Sequence, residues 1–474
     1  MSKPVLLFQG PVSSRSGYGN HSRDLVRSLI ECGKYDVKIW DLRWGGCPRN
    51  AIDEKNPDHK IFFDHLLDIP SLDTQPEFHI HVTVPNEFAN IGKYNIGITA
   101  GMETTMISQQ WVEGCNKMDL IIVPSNHCKK VFQSTVWKQQ NSQTQEIVRE
   151  IKVVKPIEVL FEGTRSDIYK KITQKDIPQT LIDKLSMITE NWCYLYVGHW
   201  LQGDVGHDRK DTGMLVKVFL ETFKNKKNTP ALILKTSGAT FSVTDRDDIF
   251  KKIEGIKKSV KAEILPNIYL IHGDLTDEEM NGLYNHPKVK AHVTFTKGEG
   301  FGRPLLEASM SEKPIIASGW SGHLDFLDKN LAVLLPGGLS NVHASAVWEN
   351  VILKESQWFT VNYVYASQIL KDVWANYRKY ITNAKLLTQK NKSQFSYIQM
   401  VEKFMEIMEQ YIPKFLYESV LDLSNLPKLT KIDASSNETK INLPKLKRSN
   451  KSDSDLSNVE QSNEFNLPKL KMLE

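Results

Sequence analysis

The sequence predicts an α/β protein of two doubly wound domains with a tail behind them. Three observations carry this. Short apolar runs alternate with segments of helical period, the alternation restarts near Asn191, and the composition turns polar after about Leu421. At 474 residues the chain is longer than one typical domain. Hydrophobic residues at 40% suffice for two cores, and 60 basic against 56 acidic residues leave a net charge of only +4. So small an excess is no nucleic-acid signature. Cys32, Cys47, Cys115, Cys128 and Cys193 form no Cys-x-x-Cys pair, which points to a reduced compartment rather than a disulfide framework or a zinc site. The apolar run at 5–8 is too short for a signal peptide, and no run reaches the roughly 18 residues that span a bilayer. A cytoplasmic protein is expected.

Residues 5–8 read as a buried strand, and the loop 13–20 feeds a helix through Ile30 that stops at Gly33. Strands follow at 36–41, 79–84, 94–99, 120–123 and 158–161, with helices at 111–118 and 127–135; Trp111 reads as core. Residues 139–145 are all Gln, Asn, Ser or Thr and are expected as an exposed loop. The second domain supplies strands at 194–197, 231–235, 268–272, 291–296 and 315–317, and helices at 212–223, 276–284 and 304–310. Further helices are expected at about 344–353, 361–376 and 394–411. The domain bounds are 1–190, 191–393, a C-terminal helix at 394–420, and a tail at 421–474. In that tail the unit Asn425-Leu-Pro-Lys-Leu429 recurs at 442–446 and 466–470. A unit this short cannot stack into a solenoid. It reads as three copies of a linear motif on a disordered segment, available to a protein partner.

The stretch Lys297-Gly298-Glu299-Gly300-Phe301-Gly302-Arg303-Pro304-Leu305-Leu306-Glu307-Ala308 carries the most chemistry. It follows a β-rich run, so it reads as a strand end, a glycine loop and a helix start, with Pro304 suited to the first turn. Unpaired N–H groups near 303–306 would form an anion site, suited to a phosphate. Glu299 before that helix and Glu307 inside it can accept hydrogen bonds from sugar hydroxyls. A nucleotide-sugar needs that combination, although an ordinary solvated βα loop can show the same glycines.

This stretch, with Lys313-Pro-Ile-Ile-Ala-Ser318 and Gly319-Trp-Ser-Gly-His323, resembles the donor-site signature of retaining GT-B glycosyltransferases of the large family four. The resemblance covers about 5–328, and more loosely the helices to Tyr411, but not the tail. It implies two Rossmann-like domains facing across a cleft, with the last long helix crossing back to the first domain. It also implies transfer of a sugar from a UDP- or GDP-linked donor to a glycan, protein or lipid hydroxyl, with retention and without a metal or other cofactor. On this reading Glu299 holds the transferred sugar, Glu307 the nucleotide ribose, and Gly300, Phe301, Gly302 and Arg303 the rest of the donor loop. Arg209 and Lys210 match the pair that neutralises the diphosphate, with Lys235 near the same pocket. Gly17 and Gly19 would lie under the donor phosphates. Glu103 and Ser125 would line the acceptor cleft, as would His79 or His81, which flank Ile80 and so share one strand face. His323 is a further candidate.

Other readings stay open. Ser16-Gly17-Tyr18-Gly19, with Asp41 at the end of the next strand, also resembles an imperfect dinucleotide loop of a nicotinamide oxidoreductase. Ser22 stands where the third glycine would be, and that reading leaves the second domain's signature unexplained. A nucleotide-sugar epimerase of the same fold and a non-catalytic scaffold acting through its tail are the remaining alternatives. Asp245-Arg246-Asp247 superficially matches a metal-binding Asp-x-Asp and is read as solvated surface.

Overall fold

The computed structural model describes residues 3–140, 144, 147–238 and 240–413. The expected disordered tail, with its three repeats, lies outside them. The described residues form one compact unit.

Within that unit stand two six-stranded, all-parallel sheets. The first has the order Asp36–Asp41, Val5–Gly10, Phe78–Val82, Tyr94–Ile98, Leu120–Val123, Ile157–Val159. The second runs Ile268–Ile271, Ala231–Lys235, Cys193–Val197, Val289–Val293, Ile315–Ser318, Val333–Leu335. Their strands are near-continuous apolar runs because helices cover both faces; Leu120–Val123 and Ile315–Ser318 are buried throughout. In each sheet the order reverses once. The reversals lie between Val5–Gly10 and Phe78–Val82, and between Cys193–Val197 and Val289–Val293. Ligands of such sheets bind outside the carboxyl ends of the strands at these switch points. The site is therefore expected where the loops after Cys193–Val197 and Val289–Val293 emerge.

Both faces of each sheet carry a core. Leu6, Phe8, Leu25 and Leu29 pack on one face of the first sheet, Met102, Trp111 and Phe132 on the other. In the second, Tyr194, Leu215, Phe219 and Ile253 fill one face, and Leu195, Leu283, Leu305 and Phe326 the other.

Several elements differ from expectation. The helix expected at 344–353 is a short 3-10 turn, Ala344–Ala346, inside an antiparallel hairpin of Gly337–Asn341 and Gln357–Val361. Its apolar residues serve a small separate cluster of Val342, Ala346, Ile352 and Trp358. The charged stretch around Asp245 forms helix Val243–Ser259, which buries Ile249, Ile253 and Ile256. A helix at Tyr377–Gln394 follows Tyr363–Ala375 after a break at Asn376. Strands Trp137–Gln140 and Ile147–Ile151 pair, so Gln139 and Gln140 of the expected loop belong to a strand.

Helix Tyr397–Tyr411 returns to the first sheet. Ser396 caps it, accepting the Gln399 N–H. Met400, Phe404, Ile407, Met408 and Ile412 enter the same core as Leu6, Phe8 and Leu25. The backbone locks the entry: Thr164 N–H donates to Phe395 O at 2.9 Å and Tyr397 N–H to Thr164 O at 2.7 Å. The N-terminal core is thus completed by residues almost 400 positions downstream of its first strand. Phe404 is fully buried there, so Phe404→Ala should cost about 3–5 kcal/mol. Urea unfolding checks this, and a loss below ~1 kcal/mol would show that the helix contributes little to that core.

Candidate functional site at the seam between the sheets

The loops at the second sheet's switch point meet as expected, and each is pinned by backbone. Asp208 accepts the N–H groups of Thr212, at 2.9 Å, and Gly213, at 3.4 Å, capping helix Thr212–Phe223 and fixing the residues just before it. Those residues include Arg209 and Lys210. Lys297 N–H donates to Arg209 O at 2.9 Å, tying this loop to the glycine loop. Glu299 is held by its own backbone: its N–H donates to Ser321 Oγ at 2.8 Å, and Gly322 N–H donates to its carbonyl at 2.9 Å. The Gly319–His323 segment therefore orients Glu299 directly.

The charges converge. Lys210 Nζ pairs with Glu299 Oε1, and Arg209 Nη1 lies 4.0 Å from Glu299 Oε2. The same Nη1 donates to Glu103 Oε1, from the other half of the molecule, at 2.9 Å. Burial pushes the Glu299 carboxyl up, but Lys210 and Arg209 outweigh it and hold it below the usual carboxylate range. Glu299 is the anionic centre of the seam.

Arg303 and Glu307 form a second centre. Arg303 Nε donates to Glu307 Oε1 at 3.0 Å, and its Nη1 donates to Asp24 Oδ2 at 2.6 Å, on helix Gly17–Glu31 of the first domain. Burial raises Glu307 to about 7 against the opposing pull of Arg303. Glu162, buried nearby and also facing Arg303, is raised by burial to about 7.

Two glycines of the loop have a steric cause. A Cβ on Gly298 would lie 1.9 Å from Glu103 O, and one on Gly300 2.0 Å from Ala100 O. They admit the opposite domain's backbone. The expected anion cradle is also reduced. Leu305 and Leu306 N–H groups both donate to Gly302 O, and Pro304 has none to offer.

The remaining candidates divide. Ser125 Oγ donates to Gly300 O at 2.6 Å, so Ser125 lies in the seam, though fully buried. His323 packs against Gly302; its Nε2 lies 2.7 Å from Ser318 O, and its Nδ1 has no partner. Phe301 faces the core beside Phe326, their centroids 5.0 Å apart. Lys235 Nζ donates to Gly273 O at 2.8 Å, and its charge acts on His199 together with those of Arg209 and Lys210. Gly19 closes its turn against Ser14 O, while a Cβ on Gly17 would meet nothing. His79 and His81 do share a face, but inside the packing of the first sheet. His79 Nε2 lies 2.9 Å from Gln9 Oε1 and His81 Nδ1 accepts Ala89 N–H at 3.2 Å, and burial lowers them to about 4 and 3.

Asp41 is occupied too. It accepts Ser13 N–H at 2.9 Å and pairs with Arg49 at 2.6 Å, so it is not placed to hold a ribose. Asp245 is not solvated: it accepts Gly238 N–H at 2.9 Å and lies 2.8 Å from His272 Nε2. Among the described residues no group of three or more His, Cys, Asp or Glu could hold a metal. Among the described residues no helix is long and apolar enough to cross a membrane. Seam residues missed in sequence include Asp24, Glu162, Asp325, which accepts Asn126 N–H at 2.9 Å, and the pair Arg15–Asp274, at 3.0 Å.

No family model and no curated protein sequence matches this chain. Solved structures do. Anabaena HepE in complex with UDP and glucose aligns at a TM-score of 0.52 and 12% identity, over 86% of this chain and 100% of that one. Sucrose-phosphate synthase from Thermosynechococcus elongatus gives 0.56 and 12%, over 86% and 99%. A glycosyltransferase from Rickettsia africae gives 0.52 and 12%, over 87% and 100%. The fold is GT-B. At this identity the likeness speaks for fold, and the GT-B interdomain seam is where the charged residues above gather.

The two raised carboxyls make a pH prediction. Glu162 and Glu307 titrate near 4.5 when unfolded and near 7 when folded. The native state therefore keeps protons that the unfolded chain has lost. Their stabilising share is complete below about 4.5 and disappears as the pH rises through 7. Glu162→Gln, which mimics the protonated form and does not titrate, should accordingly raise the melting temperature relative to wild type, and more at pH 8 than at pH 5.5. A difference independent of pH would show that Glu162 is ionised in the fold.

Proposed function

We propose that this chain is a glycosyltransferase. It moves a sugar from a UDP- or GDP-linked donor to an acceptor hydroxyl, with retention of configuration and without a metal. The observation that carries this reading is the Glu299–Lys210–Arg209 cluster, buried at the switch point of the second sheet and facing the first domain. The arrangement matches the chemistry. The leaving group is a nucleoside diphosphate whose charge grows as the glycosidic bond breaks, and fixed cations in a dry site stabilise that charge. Arg209 and Lys210 supply them, with the helix and backbone contacts above holding them ready. Glu299, kept ionised, accepts hydrogen bonds from the transferred sugar's hydroxyls, and Glu307 from the ribose. HepE, solved with UDP and glucose, shows a GT-B protein taking such ligands.

The direct test is a thermal-shift screen of the full chain against UDP-, GDP- and ADP-sugars and NAD(P), since a bound ligand stabilises by mass action. A UDP- or GDP-sugar should raise the melting temperature and NAD(P) should not; a response to NAD(P) alone would overturn the reading. Donor turnover should persist in EDTA. Turnover that disappears and returns with manganese would remove the metal-free claim.

Lys210→Ala should lower kcat by about 10²–10³-fold while weakening donor binding less, because the missing cation matters most as charge develops. Steady-state kinetics with the donor identified in the screen reads this out. Unchanged kcat would take Lys210 out of the reaction.

A further inference from the structure

Arg209 and Lys210 occupy the two central positions of a tight turn. Asp211 N–H donates to Asp208 O at 2.9 Å, which closes the four residues on themselves and leaves the two cations at the tip. Asp208 sets one end of the turn through the helix N–H groups it accepts. The other end is unusual. Asp211 has φ 52°, in the left-handed region that residues with a side chain rarely adopt. Such a backbone persists only where its surroundings over-determine it. Asp211 stands at the start of helix Thr212–Phe223, yet its side chain accepts none of that helix's N–H groups. Its Oδ2 instead accepts the Tyr363 hydroxyl at 2.7 Å and lies 3.4 Å from Lys297 Nζ, with Asp211 and Lys297 both buried. Lys297 Nζ also donates to Thr360 Oγ1 at 3.0 Å, on strand Gln357–Val361. The residue next to Lys210 is thus gripped by the glycine loop and by helix Tyr363–Ala375 together.

We propose that Asp211 is a positioning residue: anchored by Tyr363 and Lys297, it holds the left-handed turn that aims Lys210 at the diphosphate of the donor. The proposal rests on the reading of the site given above. Asp211 acts through the main chain of its neighbour Lys210. Glu299, the partner of Lys210, has its own backbone fixed by Ser321 and Gly322. The meeting of the two side chains therefore depends on where the turn places the lysine.

The test uses the full chain with UDP-glucose and GDP-glucose as donors, and compares Asp211→Gly with Asp211→Asn. Both remove the charge that Lys297 faces, so both should lower the melting temperature. Glycine and asparagine also both suit the left-handed turn. They differ in the anchor. The asparagine oxygen still accepts the Tyr363 hydroxyl, and its amide nitrogen takes the place of Oδ1, which has no partner; glycine offers nothing. Asp211→Gly should lower kcat on the order of 10–10²-fold while weakening donor binding less, since a displaced cation matters most as charge develops. Asp211→Asn should retain most of kcat. In a Lys210→Ala background Asp211→Gly should cost far less than it does alone, because residues acting as one unit are not additive. Equal kcat in the two variants, or a glycine loss that adds in full to that of Lys210→Ala, would overturn the proposal. Should the Asp211 variants not fold, Tyr363→Phe removes the anchor from the other side. It should lower kcat about tenfold, the worth of one hydrogen bond to a charged group, and unchanged kcat would overturn the proposal. If the wild-type chain turns over neither donor, the proposed function fails by itself. The link from Asp211 to Lys210 is then decided by the same backgrounds in melting temperature, where non-additive losses sustain it and additive losses remove it.

Discussion

Burying charge is the constraint on which this molecule turns. Glu299, Glu307 and Arg303 are each less than a tenth exposed, and Arg209 and Lys210 are little more so. An ionised group taken out of water is tolerated only with partners of opposite charge close by. Neither domain supplies enough of them alone, so Asp24 and Glu103 come from the first domain to meet Arg303 and Arg209 from the second. The charges that do the proposed chemistry are therefore also what keep the halves in register. The glycine loop follows from this: side chains at Gly298 and Gly300 would hold the backbones apart and strand the arginines.

The returning helix serves the same end. Tyr397–Tyr411 fills the N-terminal core, so the second domain is anchored to the first at two places, the seam and the helix. Covalent continuity then keeps the halves close, and seam contacts need only fix the last few ångströms. Loop closure grows costlier only slowly with length. A single helix is thus an economical means of keeping Asp24 opposite Arg303.

The sequence made local grammar legible and long-range pairing opaque. Glu299, Glu307, Arg209 and Lys210 could be found because strand, glycine loop and helix start follow one another within a dozen residues. The two sheets were visible for the same reason. Asp24 could not be found, because its partner is 279 positions away and nothing around it differs from any helix surface. His79 and His81 show the limit of periodicity: period two places both on one face, but not what that face meets. Helix Val243–Ser259 was hidden by charge, although Ile249, Ile253 and Ile256 keep helical spacing. The hairpin at 337–361 was mistaken because a few apolar residues at helix-like intervals satisfied a small cluster around Trp358 instead of a stripe.

The unequal bridges suit the proposed reaction. A nucleoside diphosphate brings at least two negative charges into a seam where Arg209 and Lys210 already neutralise Glu299 and Glu103. Entry without loss of a carboxylate would leave excess charge buried, a cost of several kcal/mol. Glu299 cannot be the one to leave, since Ser321 and Gly322 fix its backbone. Glu103 can. It belongs to the other half and is the most exposed member of the cluster, so a turn of its own side chain removes it from Arg209. The Asp24–Arg303–Glu307 bridge, short on both arms and sealed, tolerates no such exchange. On the proposed function one arginine is thus free for the ligand while the other stays bridged, so the donor would gain its cation without losing the shape of the ribose site.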